Sequence, residues 1–275
     1  MKKFKTSDGL NLAYMDEGQG PALLCLPGLT RDINDFNELS ENISGVRLIR
    51  LDSRGRGASD WDQNTHNYSA PIEARDAVEL LDHLGLEKAA IIGTSRGGIL
   101  AMILAMSAKS RLSGVLLNDI GPVIGGAAIG EIIATMGQNP PYKTYDEAAQ
   151  KYPQSFDGFP NVSPERWQTE VRRLWQETPD GLRIRYDPKL GETVAEAAKT
   201  PTPDLWPFFD AFSDLPLALL RGENSTLLSA ETAAEMRRRR PDMLFATVKD
   251  RGHIPFLDEP ESLAVINAFI GELRD

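Results

Sequence analysis

The chain opens with a mostly polar stretch, 2–6, and a largely apolar one, 11–16, joined by the turn residues Ser7-Asp8-Gly9. Two short runs about such a turn predict an antiparallel pair of strands at a sheet edge. After Gly18-Gln19-Gly20-Pro21 the pattern changes. Ala22-Leu23-Leu24-Cys25-Leu26 is apolar throughout, as in a strand covered on both faces. A helix is predicted over Ile33 to Ile43 and a strand over 46–51. Ala70 to Leu84 then carries Ile72, Val78, Leu80, Leu81 and Leu84 at helical spacing, and Gly85 ends that helix. A buried strand over 89–94 leads into an apolar, helix-prone segment from Ile99 to Met106, and Leu112 to Asn118 forms the next strand. Strands alternating with helices, apolar on both faces, imply a mostly parallel sheet with right-handed crossovers.

The alternation breaks after Pro122. Residues 122–213 hold helical pieces, many prolines and most of the large aromatics. Ser163 and Pro164 open one helix there, with Trp167, Val171, Leu174 and Trp175 as its stripe. Helices inserted at a sheet's carboxyl edge must bury one face against that edge, and a ligand fits in the gap. The alternation resumes with a strand over 217–221, a helix capped by Ser229 and running to Arg239, a strand over 243–249 and a last helix over 259–273. The chain therefore divides into a core, 1–121 and 214–275, and an inserted helical segment, 122–213.

Chemistry enters at Gly93-Thr94-Ser95-Arg96-Gly97. G-x-S-x-G between a strand and a helix is a nucleophile elbow. The serine occupies a sharp turn, and glycines two residues to either side let strand and helix approach closely. The following helix aims its unpaired N–H groups at any oxyanion formed there. The competing reading is a plain strand-to-helix loop, which the rest of the chain must exclude.

Composition narrows the role. The 275 residues carry a formal net charge of -10. That charge disfavours binding to nucleic acid or to an anionic membrane surface and leaves a small-molecule substrate as the expected partner. The run Arg237-Arg238-Arg239-Arg240 sits at a predicted helix end, where cations suit the dipole, and reads as a solvated terminus. Cys25, the single cysteine, lies in an apolar run and reads as a small core residue. His66, His83 and His253 are far apart, so neither a metal nor a cofactor is expected. No apolar stretch follows the N-terminal lysines and no membrane span is evident, which makes a cytoplasmic protein the expectation. The oligomeric state is left open.

Taken together, the motifs resemble the α/β-hydrolase fold family. Gly93 to Gly97 matches its elbow. Pro27-Gly28-Leu29 resembles its His-Gly-x segment, with proline in place of histidine. Asp52-Ser53-Arg54-Gly55-Arg56-Gly57-Ala58-Ser59 resembles D-x-R-G-x-G-x-S, and Arg251-Gly252-His253 followed by Asp258-Glu259-Pro260-Glu261 resembles the loop carrying the catalytic histidine. The resemblance spans nearly the whole chain. It implies a mostly parallel eight-stranded sheet flanked by helices, with 122–213 as a helical cap.

A serine hydroxyl needs a base, and the base needs an orienting acceptor. His253 is the candidate base, in a glycine-containing loop after the last strand. His66 lies in a polar stretch and reads as solvated; His83 reads as an outer helix residue. The family's usual acid follows a Gly-x-x-Asp turn after the 217–221 strand. Here Arg221-Gly222-Glu223-Asn224-Ser225-Thr226 offers Thr226 at the expected position and Glu223 as the nearest carboxylate. Asp119, ending the 112–118 strand where some family members place their acid, is the candidate; the alternative is a structural acceptor or a partner for Arg96. The resemblance implies an oxyanion hole of backbone N–H groups from Leu29 and Arg96. The Arg96 side chain either pairs with an acid such as Asp119 or holds a substrate carboxylate. The resulting expectation is a serine hydrolase that cleaves a small carboxylic ester or related acyl bond. Carbon–carbon bond hydrolysis, a cofactor-free lyase and a non-catalytic small-molecule receptor are the alternatives on the same scaffold.

Overall fold

The computed structural model describes residues 1–156, 158–200 and 203–273; side chains at 127–129 and 131 are also outside the description. Residues 157, 201 and 202 of the expected insertion and 274 and 275 of the expected core are thus outside the described residues. The two opening stretches fold as an edge hairpin. β1 (Lys2–Lys5) pairs antiparallel with β2 (Asn11–Gly18), which pairs antiparallel with β4 (Arg47–Leu51). The rest of the sheet is parallel: β4, β3 (Ala22–Leu26), β5 (Ala89–Thr94), β6 (Leu112–Asn118), β9 (Leu217–Gly222) and β10 (Leu244–Val248) follow in that order.

The uninterrupted apolar runs have a direct cause in packing. Leu24, Leu26, Ile91, Leu117 and Leu219 point to one face, against α2 (Ala70–His83), α3 (Arg96–Ser107) and α9 (Ala230–Arg239). Their neighbours Leu23, Cys25, Ile92, Leu116 and Leu220 point to the other, against α1 (Asn37–Asn42) and α10 (Pro260–Glu272). Each buried leucine contributes roughly 1.5–3 kcal/mol, so a polar residue on either face is costly. Cys25 is fully buried, and burial pushes its thiol well above the usual range.

Two local predictions need correction. The helix expected over 33–43 is split into a 3-10 turn, Ile33–Phe36, capped by Asp32, and the short α1. The stripe residue Trp175 is not helical. It begins β7 (Trp175–Thr178), which pairs antiparallel with β8 (Gly181–Ile184). The segment between β6 and β9 thus contains a hairpin beside α4 (Gly126–Thr135), α5 (Tyr145–Lys151), α6 (Pro164–Leu174), α7 (Lys189–Ala197) and α8 (Trp206–Asp210). It ties to loops at the carboxyl ends of the strands. Asp187 N–H donates to the Gly55 carbonyl at 2.8 Å, and the Phe159 ring stacks on Phe256 at 5.5 Å.

Candidate active site

Strand order creates the site. From β3 the chain crosses to β4 on one side and later to β5 on the other. The connections leaving β3 and β5 therefore diverge at the carboxyl edge, where open α/β sheets hold their ligands. Register aligns the exits: Leu26 lies opposite Gly93, and Asn118 opposite both Thr94 and Leu220. The ladder continues into the turns, with Ser95 N–H on the Asn118 carbonyl at 3.1 Å and Asp119 N–H on the Leu220 carbonyl at 2.8 Å.

The elbow is as tight as the motif requires. Ser95 has φ 50 and ψ -112, a costly backbone for a non-glycine residue. A Cβ on Gly97 would stand 2.0 Å from the Leu26 carbonyl oxygen, and one on Gly93 would stand 2.6 Å from the Gly97 oxygen. Both positions are closed to any side chain.

The structure brings together the three residues singled out from the sequence. Ser95 Oγ lies 2.9 Å from His253 Nε2, and His253 Nδ1 lies 2.7 Å from Asp119 Oδ2. A carboxylate only accepts, so Nδ1 carries the hydrogen and Nε2 is left to accept from the serine hydroxyl. Asp119 is fully buried, while the His253 side chain keeps 19% exposure toward solvent. Gly222 N–H donates to Asp119 Oδ1 at 2.8 Å and the Ser225 hydroxyl donates to Oδ2 at 2.6 Å. Three donors thus converge on one buried carboxylate, which a desolvated charge requires. His66 and His83 are both exposed and lie away from this group.

The turn after β9 differs from expectation by one residue. Thr226 is exposed, and Ser225, closing the turn on the Gly222 carbonyl at 3.0 Å, reaches Asp119 instead. Counting Gly-x-x-Asp from Gly222 gives position 225, so the signal was present in the sequence. Glu223 is exposed and accepts from the Asp250 N–H at 3.1 Å, away from the imidazole.

Arg96 does not pair with Asp119. Its Nε donates to Glu73 Oε2 at 3.0 Å, while Arg56 Nη1 donates to Glu73 Oε1 at 2.7 Å. Burial alone raises the Glu73 pKa, but the two guanidinium groups outweigh it and hold the carboxyl below its usual range. Arg56 Nε also donates to the Leu29 carbonyl at 2.9 Å. The Gly28 carbonyl accepts from Arg31 N–H at 3.2 Å, so the trans peptide turns the Leu29 N–H the other way. Gly28 lies against the nucleophile: a Cβ built on it would be 3.9 Å from Ser95 Cβ.

Sequence reasoning missed the residues that hold the histidine loop. Glu259 accepts from Arg251 Nε at 2.9 Å, Phe256 N–H at 2.8 Å and Leu257 N–H at 3.1 Å, bracketing His253 from both sides. Asn118 Nδ2 donates to the Pro255 carbonyl at 3.2 Å. From α6, Arg166 donates to Asp258 at 2.5 Å and lies over the Phe256 ring. The Glu259 side chain makes no capping bond to the helix backbone that follows it, so no helix-start signal marks its role; the other two contacts join distant parts of the chain. Among the described residues no group of three His, Cys, Asp or Glu side chains is placed to hold a metal, and no helix is long and apolar enough to cross a membrane.

Comparison with known proteins places the chain in a wider group. Residues 23–265 match the alpha/beta hydrolase family. A 3-hydroxybutyrate-oligomer hydrolase of Cupriavidus necator is 34% identical over 94% of this chain and 92% of its own length. A 2-(acetamidomethylene)succinate hydrolase of Mesorhizobium japonicum is 26% identical over 95% of this chain and 92% of its own. Among solved structures, an alpha/beta hydrolase from Novosphingobium aromaticivorans superposes with a TM-score of 0.90 at 36% identity, covering 98% of this chain and 97% of that one.

Proposed function

The chain belongs to the alpha/beta hydrolase family, and from that premise we propose that it is a serine hydrolase cleaving a small carboxylic ester through Ser95, His253 and Asp119. The observation that carries this reading is the continuous hydrogen-bonded line from Ser95 Oγ through the imidazole to Asp119, at 2.9 and 2.7 Å.

The steps follow from the geometry. Ser95 Oγ attacks the ester carbonyl as its proton passes to His253 Nε2. Asp119 holds the Nδ1–H tautomer and stabilises the imidazolium that forms. The oxyanion meets the N–H groups of Leu29 and Arg96. The intermediate then collapses: the bond to the alcohol breaks, and His253 returns the proton to the leaving oxygen. Water attacks the acyl-enzyme by the same route in reverse, with His253 again as base.

Residues 122–213 serve as a cap over the carboxyl edge, carried by the core of 1–121 and 214–275. The first of the relatives above is named for an oligomer of a hydroxy acid, and hydroxy acids condense through ester bonds, which suits the proposed chemistry. The test is covalent labelling with a fluorophosphonate, followed by intact mass and peptide mapping, beside turnover of a panel of esters, lactones and diketones. Stoichiometric labelling at Ser95 with ester turnover is expected. An unlabelled Ser95 contradicts the reading and points to a receptor; turnover of diketones alone points to carbon–carbon hydrolysis.

A further inference from the structure

Beside the nucleophile two guanidinium groups, those of Arg56 and Arg96, share one buried carboxylate, Glu73. Arg56 is 1% exposed. Its Nε goes to the Leu29 carbonyl and its Nη1 to the Arg54 carbonyl and Glu73, while its buried Nη2 has no hydrogen-bond partner among the described residues. The buried Asp187 carboxylate hydrogen-bonds neither guanidinium; it accepts from the Tyr68 hydroxyl at 2.6 Å and the Lys189 N–H at 3.0 Å. Burial above all, with the charge of Arg96 added, depresses the Arg56 pKa against the pull of Glu73. A guanidinium that shares its carboxylate and keeps one buried N–H group unbonded still has room for an acceptor.

Arg96 is the member of this group that reaches solvent, with 18% of its side chain exposed. It donates to Glu73 through Nε, and its terminal nitrogens have no protein partner among the described residues. It also follows the nucleophile directly in the chain.

We infer that this site takes a substrate carboxylate: Arg96 makes the contact and Arg56 supplies the buried charge behind it. The inference rests on the serine hydrolase reading and names its substrate class, esters that carry a free carboxylate a few bonds from the scissile carbonyl. A planar guanidinium suits a carboxylate because two N–H groups can bond its two oxygens. In a chain of net charge -10, such a local positive centre also draws an anion toward a surface that otherwise repels it.

The test uses two matched pairs that differ only by a carboxylate or its amide. The half-ester ethyl succinate is compared with ethyl succinamate, reading ethanol. The acetate ester of 3-hydroxybutyrate is compared with that of its amide, reading acetate. The first pair places the charge on the acyl side and the second on the alcohol side. The full-length enzyme is expected to favour the carboxylate member of at least one pair by roughly 10- to 100-fold in kcat/KM, the range for a charged hydrogen bond. Arg96→Met removes that preference and Arg96→Lys keeps part of it. Should Arg96→Met fail to fold, competition in the unaltered enzyme decides, with succinate inhibiting and succinamide not. Equal rates for both members of both pairs, or an equal loss on both in Arg96→Met, overturns the inference while leaving fluorophosphonate labelling of Ser95 intact. Absence of labelling together with absence of turnover removes the hydrolase reading, and this inference with it.

Discussion

The turns after β6 and β9 meet at the Asp119 carboxylate. The β6 turn supplies a carboxylate, Asp119, and the β9 turn supplies a hydroxyl, Ser225, 2.6 Å away. Family resemblance assigns the acid to the second turn, yet here the carboxylate that bonds the imidazole comes from the first. The adjacency of the two parallel strands explains this: Asn118 lies opposite Leu220, so residues leaving either strand enter the same space. What the proposed chemistry needs is a buried acceptor at one point in space, and both turns reach the neighbourhood of that point.

The contrast is broken most severely at Asp119. Asp119→Asn is expected to lower kcat on the order of 10⁴-fold, because an amide permits the wrong tautomer and offers no charge to the imidazolium. A loss of less than tenfold would make Asp119 a structural acceptor only. Adding Ser225→Asp to that variant supplies a carboxylate from the other turn, and a recovery of at least tenfold in kcat is expected; no recovery would mean that the two turns are not equivalent. Ser225→Ala alone should cost roughly tenfold in kcat/KM, the worth of one charge-assisted hydrogen bond, while Thr226→Val, one residue on and exposed, should leave the rate unchanged. Steady-state kinetics on one good ester reads all four.

Asp52, which follows β4, extends the comparison. It is also buried at a strand end, but it accepts only from the backbone N–H groups of Ile33 and Ala58. Burial raises its pKa to about 6, against those two hydrogen bonds. The folded protein therefore holds this proton more tightly than the unfolded chain does. Its contribution to stability is complete below the unfolded value near 3.8 and is lost as pH rises through about 6. Asp52→Asn removes that slope, worth on the order of 2 kcal/mol between pH 4 and pH 6.5. Urea midpoints at the two pH values measure it; an identical pH dependence in the two proteins would show that folding leaves the Asp52 pKa unshifted.

Much of this was legible because it depends on local pattern. Continuous apolar runs marked strands covered on both faces, and Gly93 and Gly97 marked a turn where no Cβ fits. Ser95 was singled out by its motif, and His253 and Asp119 by their places at strand ends together with the family resemblance. The partner of Arg96 was not found, since Glu73 lies 23 positions away on α2 and reads as an ordinary polar helix residue. The β7–β8 hairpin was hidden by Trp175, which falls at helical spacing from Val171, although Asp180-Gly181 between two short runs is a hairpin signal. Ser225 was missed by one residue because the turn closes on Gly222 more tightly than assumed.

The central claim is that Ser95, His253 and Asp119 act as one unit. It is tested most directly by kcat for His253→Ala, for Asp119→Asn and for the two combined, with folding checked by circular dichroism. Residues of one catalytic unit are strongly non-additive. The double variant is therefore expected to be no slower than His253→Ala alone, since an acid without its imidazole has nothing to orient. Losses that multiply in the double variant would show that Asp119 acts independently of His253 and would contradict the account.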